Sequence, residues 1–346
     1  MRRQKMPFGA GQASPVPFNH GKFLPRLSEK SQMLQILSIT GPIYVLILLG
    51  YLSVRVGILK PEDSRVLATF VLYFAMPGLL FSVLYARTPS EIFNYPYMVI
   101  YASGSLAVIA LAYTVLRRVR KLDHEKAAMD TLGMVCPNSG FIGYPVMTMV
   151  FPALAGPVLA LNMMVENFIV LPLMLTLAAP RTDAGTLRTL GKAVSNTLRM
   201  PLVIALFVGL FFSLTGLRLP AMMLRPLELL ANASVPLSLF AIGAGLYGLP
   251  WKGVTGRVAP VVIGKLIIHP LVMAGMIFLF SGNVVPELSP DLADCLLITA
   301  SLSMMGIYPV LAQRFGAGHT ASIAMIVASI ACFFTLSGLL YWFSLS

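Results

Sequence analysis

Ten stretches of this chain stay apolar for about 20 residues or more, and few folds can accept so many. A helix rising 1.5 Å per residue needs about 20 residues to cross the roughly 30 Å hydrocarbon core of a bilayer. Outer-membrane barrel strands would alternate apolar and polar residues, whereas these runs are continuous. With 57% apolar residues, 11% charged residues and a mean hydropathy of +0.83, the 346-residue chain exceeds what a soluble core can bury. The pattern predicts an all-α polytopic membrane protein with ten transmembrane helices.

The runs cover about 34–54, 64–86, 96–116, 126–151, 157–179, 196–216, 222–247, 257–281, 291–313 and 319–343. Residues 1–32 are polar and basic with no apolar h-region, so a signal peptide is not expected. That segment reads as a disordered or non-native extension outside the fold. Residues 33–180 then form a first half, 181–195 a short loop and 196–346 a second half. Cys136, Cys295 and Cys332 lie inside apolar runs, where free cysteine behaves as a small hydrophobe, and no metal spacing emerges.

The formal net charge of +12 does not imply nucleic acid, because the basic residues fall in short connections between apolar runs. One set of connections carries fifteen Lys and Arg: Arg55, Lys60, Arg65; Arg117, Arg118, Arg120, Lys121, Lys126; Arg181, Arg188, Lys192, Arg199; Lys252, Arg257; and Arg314. The opposite set carries Arg87, Arg218 and Arg225. The positive-inside rule makes the first side cytoplasmic and puts both termini outside, in an inner membrane. The basic extension conflicts with that orientation, which is a second reason to set it apart.

Within the fourth run, Pro137-Asn138-Ser139-Gly140 is followed by Gly143-Tyr144-Pro145. Proline removes a backbone donor and crowds the preceding turn, and glycine costs about 1 kcal/mol against alanine, so a break is expected here. Pro137, Pro145 and Pro309 are read as helix breakers. Pro42 and Pro201 are 159 residues apart, as are Pro77-Gly-Leu-Leu-Phe81 and Pro236-Leu-Ser-Leu-Phe240. Tyr144-Pro145-Val146 recurs as Tyr308-Pro309-Val310 after 164 residues, and Ala155-Gly156 as Ala317-Gly318 after 162. These offsets point to a duplication. Because each half holds five helices, an odd number, the halves form an inverted repeat whose interrupted fourth and ninth helices are expected to meet.

The string from Pro137 to Pro145 resembles the first crossover motif of the auxin efflux carrier family, and Gly306-Ile307-Tyr308-Pro309-Val310 resembles its second. Lys265-Leu266 with Pro270 is similar to the family's eighth helix, and the resemblance spans about residues 33–345. It implies a scaffold of helices 1, 2, 6 and 7, a transport domain of helices 3–5 and 8–10 that moves as an elevator, and an anion site beside crossing fourth and ninth helices. Met304-Met305 stands where the plant exporters carry a proline and a polar residue, so recognition should be weighted towards the first half. The short 181–195 loop implies no phosphorylation control of the kind long-looped plant members have.

Broken helices expose backbone donors and partial positive charge that suit a carboxylate. Asn138 can add an amide donor, or cap the second half-helix, or do both. Pro137, Ser139, Gly140, Gly143 and Tyr144, with Met305, Gly306 and Tyr308, complete the candidate substrate-binding set; the two tyrosines either line a cavity or pack. Glu166, Lys265 and His269 are deep ionisable residues and therefore candidates for coupling or gating. Lys265 either balances Glu166 or an anion, or snorkels to the cytoplasmic end. Asp130, Asp291 and Asp294 are read as acids favouring helix starts, and Glu228 as a partner of Arg225. No catalytic set, metal cluster or nucleotide loop is present, so neither an enzyme nor a cofactor is expected. The leading function is a secondary carrier of a small organic anion, coupled to protons more readily than to sodium and able to dimerise through the scaffold. A sensor or channel on the same fold is the alternative.

Overall fold

The computed structural model describes residues 29–179, 197–247 and 256–345, with Gly191, Val194 and Ser195. Most of the N-terminal extension and of the 181–195 loop lies outside the described residues. We label the helices α1 (Glu29–Arg55), α2 (Asp63–Tyr85), α3 (Tyr95–Arg118), α4 (His124–Val135), α5 (139–150), α6 (Pro152–Ala178), α7 (Pro201–Thr215), α8 (Ala221–Leu246), α9 (Val258–Phe280), α10 (Pro290–Ser301), α11 (Tyr308–Gln313) and α12 (Gly318–Leu345). There is no strand among the described residues, and six helices are long and apolar enough to cross a membrane: α2, α3 with the turn before it, α6, α8, α9 and α12. α1 begins at Glu29, inside the segment set apart as an extension.

The run 126–151 is divided between α4 and α5, and the run 291–313 between α10 and α11. Both second pieces enter regular α-helix on Tyr-Pro, at Tyr144-Pro145 and Tyr308-Pro309. Neither Pro145 nor Pro309 breaks its helix; the interruptions lie upstream, at 136–138 and 302–307. A π-turn, Ser139–Gly143, precedes Pro145, and similar turns at Val71–Ala75, Glu166–Val170 and Gly264–Ile268 precede Pro77, Pro172 and Pro270. In each, the residue before the proline donates to a carbonyl five residues back, as Tyr144 does to Ser139. The wider turn gives the proline ring room where an α-turn would clash.

α1 packs on α8, and α2 packs on α7 and α8. A smaller core joins Leu80 and Leu84 of α2 to Leu206 of α7, Ala231 of α8 and Leu159 of α6, while the larger core fills the space among α3, α4, α5, α6, α9, α10 and α12. Small residues permit the α1–α8 contact. A Cβ on Gly243 would lie 1.8 Å from the Ile47 carbonyl oxygen, and one on Gly50 2.0 Å from that of Phe240. Close backbone approach of this kind replaces hydrophobic driving force between helices in lipid.

Asp130 lies in the second turn of α4, not at its start, and its buried carboxylate receives a two-pronged contact from Arg257: Nε donates at 2.9 Å and Nη2 at 2.7 Å. The pair ties α4 to the beginning of α9. Asp291 does occupy a first helical turn, Asp294 lies beyond it in the second, and Glu228 pairs with Arg225 at 3.2 Å.

Gly243→Leu should force α1 from α8 and lower stability by at least about 1–3 kcal/mol, the cost of overpacking, seen as a lower melting temperature in detergent. Arg257→Met should strand a buried carboxylate at a cost of about 3–5 kcal/mol, and adding Asp130→Asn should recover much of the lost melting temperature.

Candidate functional site

The two interruptions lie side by side. Asn138 donates its backbone N–H to the Ser303 carbonyl at 2.8 Å, and Met305 donates to the Cys136 carbonyl at 3.1 Å, an antiparallel bridge centred on Pro137 and Met304. Residues paired in this register direct their own N–H groups away from the partner. Pro137 therefore occupies a position where the missing donor costs no ladder hydrogen bond.

Asn138 begins α5. Its carbonyl accepts from Ile142 and Gly143 at 3.2 and 2.9 Å, and its Oδ1 accepts the Phe141 N–H at 3.1 Å. This is the capping role; the amide Nδ2 has no hydrogen-bond partner among the described residues, so a donor is left over. Gly143 faces the other arm, where a Cβ would lie 2.7 Å from Leu302, and a Cβ on Gly140 would lie 2.5 Å from the terminal methyl of Met76.

Behind the α5 start, Glu166 Oε1 accepts from Ser139 Oγ at 2.5 Å and from Tyr101 Oη at 2.9 Å. One helical turn away, Tyr97 Oη donates to Asn162 Oδ1 at 2.8 Å, and Asn162 Nδ2 donates to Thr299 Oγ1 at 3.1 Å. Two tyrosines spaced i,i+4 on α3 thus meet two polar residues spaced i,i+4 on α6, forming a two-rung ladder. Glu166 and Ser139 stand out in the sequence, whereas Tyr97, Tyr101, Asn162 and Thr299 do not. The matched spacing of Tyr97/Tyr101 and Asn162/Glu166 was the available signal. Ser139, Gly143, Tyr144, Asn162 and Thr299 line a cleft with no room for a water-sized sphere, so any ligand requires its walls to part.

Lys265 does not snorkel. It is fully buried in the π-turn of α9, where Nζ lies 2.7 Å from His269 Nδ1 and donates to the Ala300 carbonyl at 3.1 Å, near the end of α10. An ammonium on Nδ1 leaves the ring proton on Nε2, a buried atom with no partner among the described residues. No Lys265–Glu166 ion pair occurs among the described residues: the carboxylate serves the beginning of α5 and the ammonium the end of α10. Each charge sits at the helix end whose dipole it complements.

The second arm is less polar. Met305 is half-buried, Gly306 is exposed with open space around its Cα, and Pro309 follows Tyr308 at the start of α11. Tyr308 is fully buried against Gly133, where a Cβ would lie 2.6 Å from the ring. Ser303 Oγ lies 3.4 Å from Ser329 Oγ, whose proton goes to the Met325 carbonyl at 2.7 Å. That contact joins α12 to the second break as the Ser139–Glu166 contact joins α6 to the first, with a hydroxyl in place of the carboxylate.

Residues 38–340 match the family described as "Membrane transport protein". A Rhizobium meliloti protein named "Putative malonate transporter" is 27% identical over 314 residues, 89% of this chain and 96% of that one. An Escherichia coli K12 protein named "Uncharacterized transporter YfdV" is 27% identical over 244 residues, 67% of this chain and 75% of its own length. The mouse "Lysosomal cholesterol signaling protein" is 22% identical over 284 residues, covering 77% of this chain but 32% of that protein. With broken helices joined through their backbones and a family match over most of its length, the chain belongs to the membrane transport protein family, that of the auxin efflux carriers, and is a multi-pass membrane transporter rather than an enzyme.

Proposed function

We propose that this protein is a secondary active carrier of a small organic anion, a carboxylate of the malonate class, across the cytoplasmic membrane. The observation that carries the reading is the bridged pair of helix breaks with a spare amide on Asn138. α4–α5 and α10–α11 are the crossing fourth and ninth helices of two inverted five-helix repeats, with both termini outside. The bridge and the shared Tyr-Pro entries support that arrangement. The packing of α1, α2, α7 and α8 supports a scaffold, which is also the surface for a homodimer; the remaining helices move against it as an elevator.

In this reading Asn138 Nδ2 and the N–H groups opening α5 bind the carboxylate. Ser139, Gly140, Gly143 and Tyr144 shape the first half of the site, and Met305, Gly306 and Tyr308 the less polar second half. Glu166 holds the α5 start when the site is empty of substrate. A proton on Glu166 frees that helix end for the incoming anion, while Lys265, braced by His269, balances the added charge. The malonate assignment draws on the name of the Rhizobium meliloti relative.

Counterflow into proteoliposomes with labelled malonate, malate and monocarboxylates, under imposed pH or sodium gradients, tests the carrier. Saturable exchange of at least one acid, enhanced by a pH gradient, is expected; no exchange of any acid would end the carrier reading. Asn138→Asp keeps the capping oxygen while removing the amide donor, so it should fold normally and weaken uptake ten-fold or more, given roughly 1.5–3 kcal/mol for a hydrogen bond to a charged group. Normal uptake would remove Asn138 from recognition. Glu166→Gln should flatten the pH dependence of transport; a profile unchanged in both Glu166→Gln and Lys265→Met would remove both from coupling.

A sensor on the same fold is the second reading, favoured by the similarity to the mouse signaling protein. Saturable acid binding without flux would select it.

A further inference from the structure

A groove of about 290 Å³ runs between α3 and α9 on the outside of the helix bundle and shares no lining residue with the cleft beside Asn138. Its walls are apolar: Leu111 and Val115 on α3 and Ile263 and Ile268 on α9 are exposed, and Met134 closes its floor against Gly264. Among the described residues its one charged lining residue is Arg120, at one end. From Val108 to Arg120 the chain rises about 18 Å if counted as helix, close to the roughly 15 Å depth of one leaflet. An apolar slot of leaflet depth that faces lipid and ends at a cation matches the two parts of a phospholipid.

The basic end is strongly cationic. Arg117, Arg118, Arg120 and Lys121 are all exposed there. Arg120 Nη2 donates to the Gly256 carbonyl at 2.6 Å and Arg117 Nη1 to the Leu122 carbonyl at 2.5 Å, which fixes both stems while leaving other guanidinium N–H groups available. The neighbouring acid, Asp123, is engaged by Lys126 at 3.0 Å, and that hydrogen bond holds its carboxyl below the usual range. Glu125 is the other nearby carboxylate, and four cations outweigh it. This is also the side that the Lys and Arg distribution marks as cytoplasmic, where anionic lipids concentrate.

We propose that the α3–α9 groove is a binding site for one anionic phospholipid, with an acyl chain between the helices and the phosphate on Arg120. The lipid lies against Met134 and Gly264, one residue from Lys265, and so braces the π-turn that carries that lysine. The test is native mass spectrometry of the delipidated full-length protein titrated with phosphatidylglycerol or phosphatidylcholine. The first phosphatidylglycerol should bind at least ten-fold more tightly than phosphatidylcholine, Arg120→Gln should abolish that preference, and Ala112→Phe, which fills the groove, should remove the first adduct of either lipid. Equal binding of the two lipids, or a preference retained in Arg120→Gln, would overturn the proposal. Displacement of the lipid by glycerol phosphate at equal concentration would also overturn it, since that outcome marks a site for a free phosphate anion. Phosphatidylglycerol with a photoreactive acyl chain, used on the unaltered protein, should label residues within 108–116 or 260–268; labelling confined elsewhere would refute the assignment without relying on any variant.

Discussion

The structure depends on the obligation to satisfy every backbone polar group in a medium that supplies no water. Interrupting a helix inside an apolar bundle frees donors and acceptors whose isolation would cost several kcal/mol each. Here two interruptions settle the account together, through the Asn138–Ser303 and Met305–Cys136 backbone hydrogen bonds. Each break thus supplies one donor and one acceptor to the other, which joins the two parts of the chain at this point. The same bridge leaves the start of α5 and the end of α10 open to side chains, and the buried carboxylate and ammonium take those two places.

Charge is distributed economically around this bridge. Glu166 shares its carboxylate oxygen between a hydroxyl at the α5 start and a tyrosine on α3, and Lys265 divides its donors between an imidazole and a helix-terminal carbonyl. Among the described residues neither group is in a contact ion pair. Each can therefore change its partner without leaving an opposite charge stranded, which would be the expensive outcome in a buried pair. The Asp130–Arg257 pair is the opposite case: a closed two-pronged contact that holds α4 to α9.

Much of the helical layout was legible in the sequence, because apolar runs of membrane length admit little besides helices. The break at Pro137 was legible too, since Pro-Asn-Ser-Gly combines a missing donor, a cap and an unstiffened backbone. What was not legible were the partners. Asp130 read as a helix-start acid because its cation lies 127 residues away, and Lys265 near a helix end could equally have snorkelled until its carbonyl acceptor on another element was known. The tyrosine ladder escaped because Tyr97 and Tyr101 look like ordinary aromatic packing until α6 is laid against α3. Pro145 reads as a helix breaker in the sequence, whereas the chain absorbs it in the wide turn Ser139–Gly143.

Those wide turns carry a geometric consequence. A π-turn accommodates one residue more than an α-turn, so everything downstream is rotated by about 100° relative to an uninterrupted helix. Ser139, Glu166 and Lys265 all lie in such turns, each with a proline five or six residues later. The prolines thus act as phase setters: they determine which face of each helix points inward on either side of the polar residues. Replacing one with alanine would restore a donor and remove a clash, yet it would also permit the helix to close up by one residue and carry its apolar face out of register with its neighbours. In this protein the residue usually regarded as a helix defect keeps the rest of the helix in alignment.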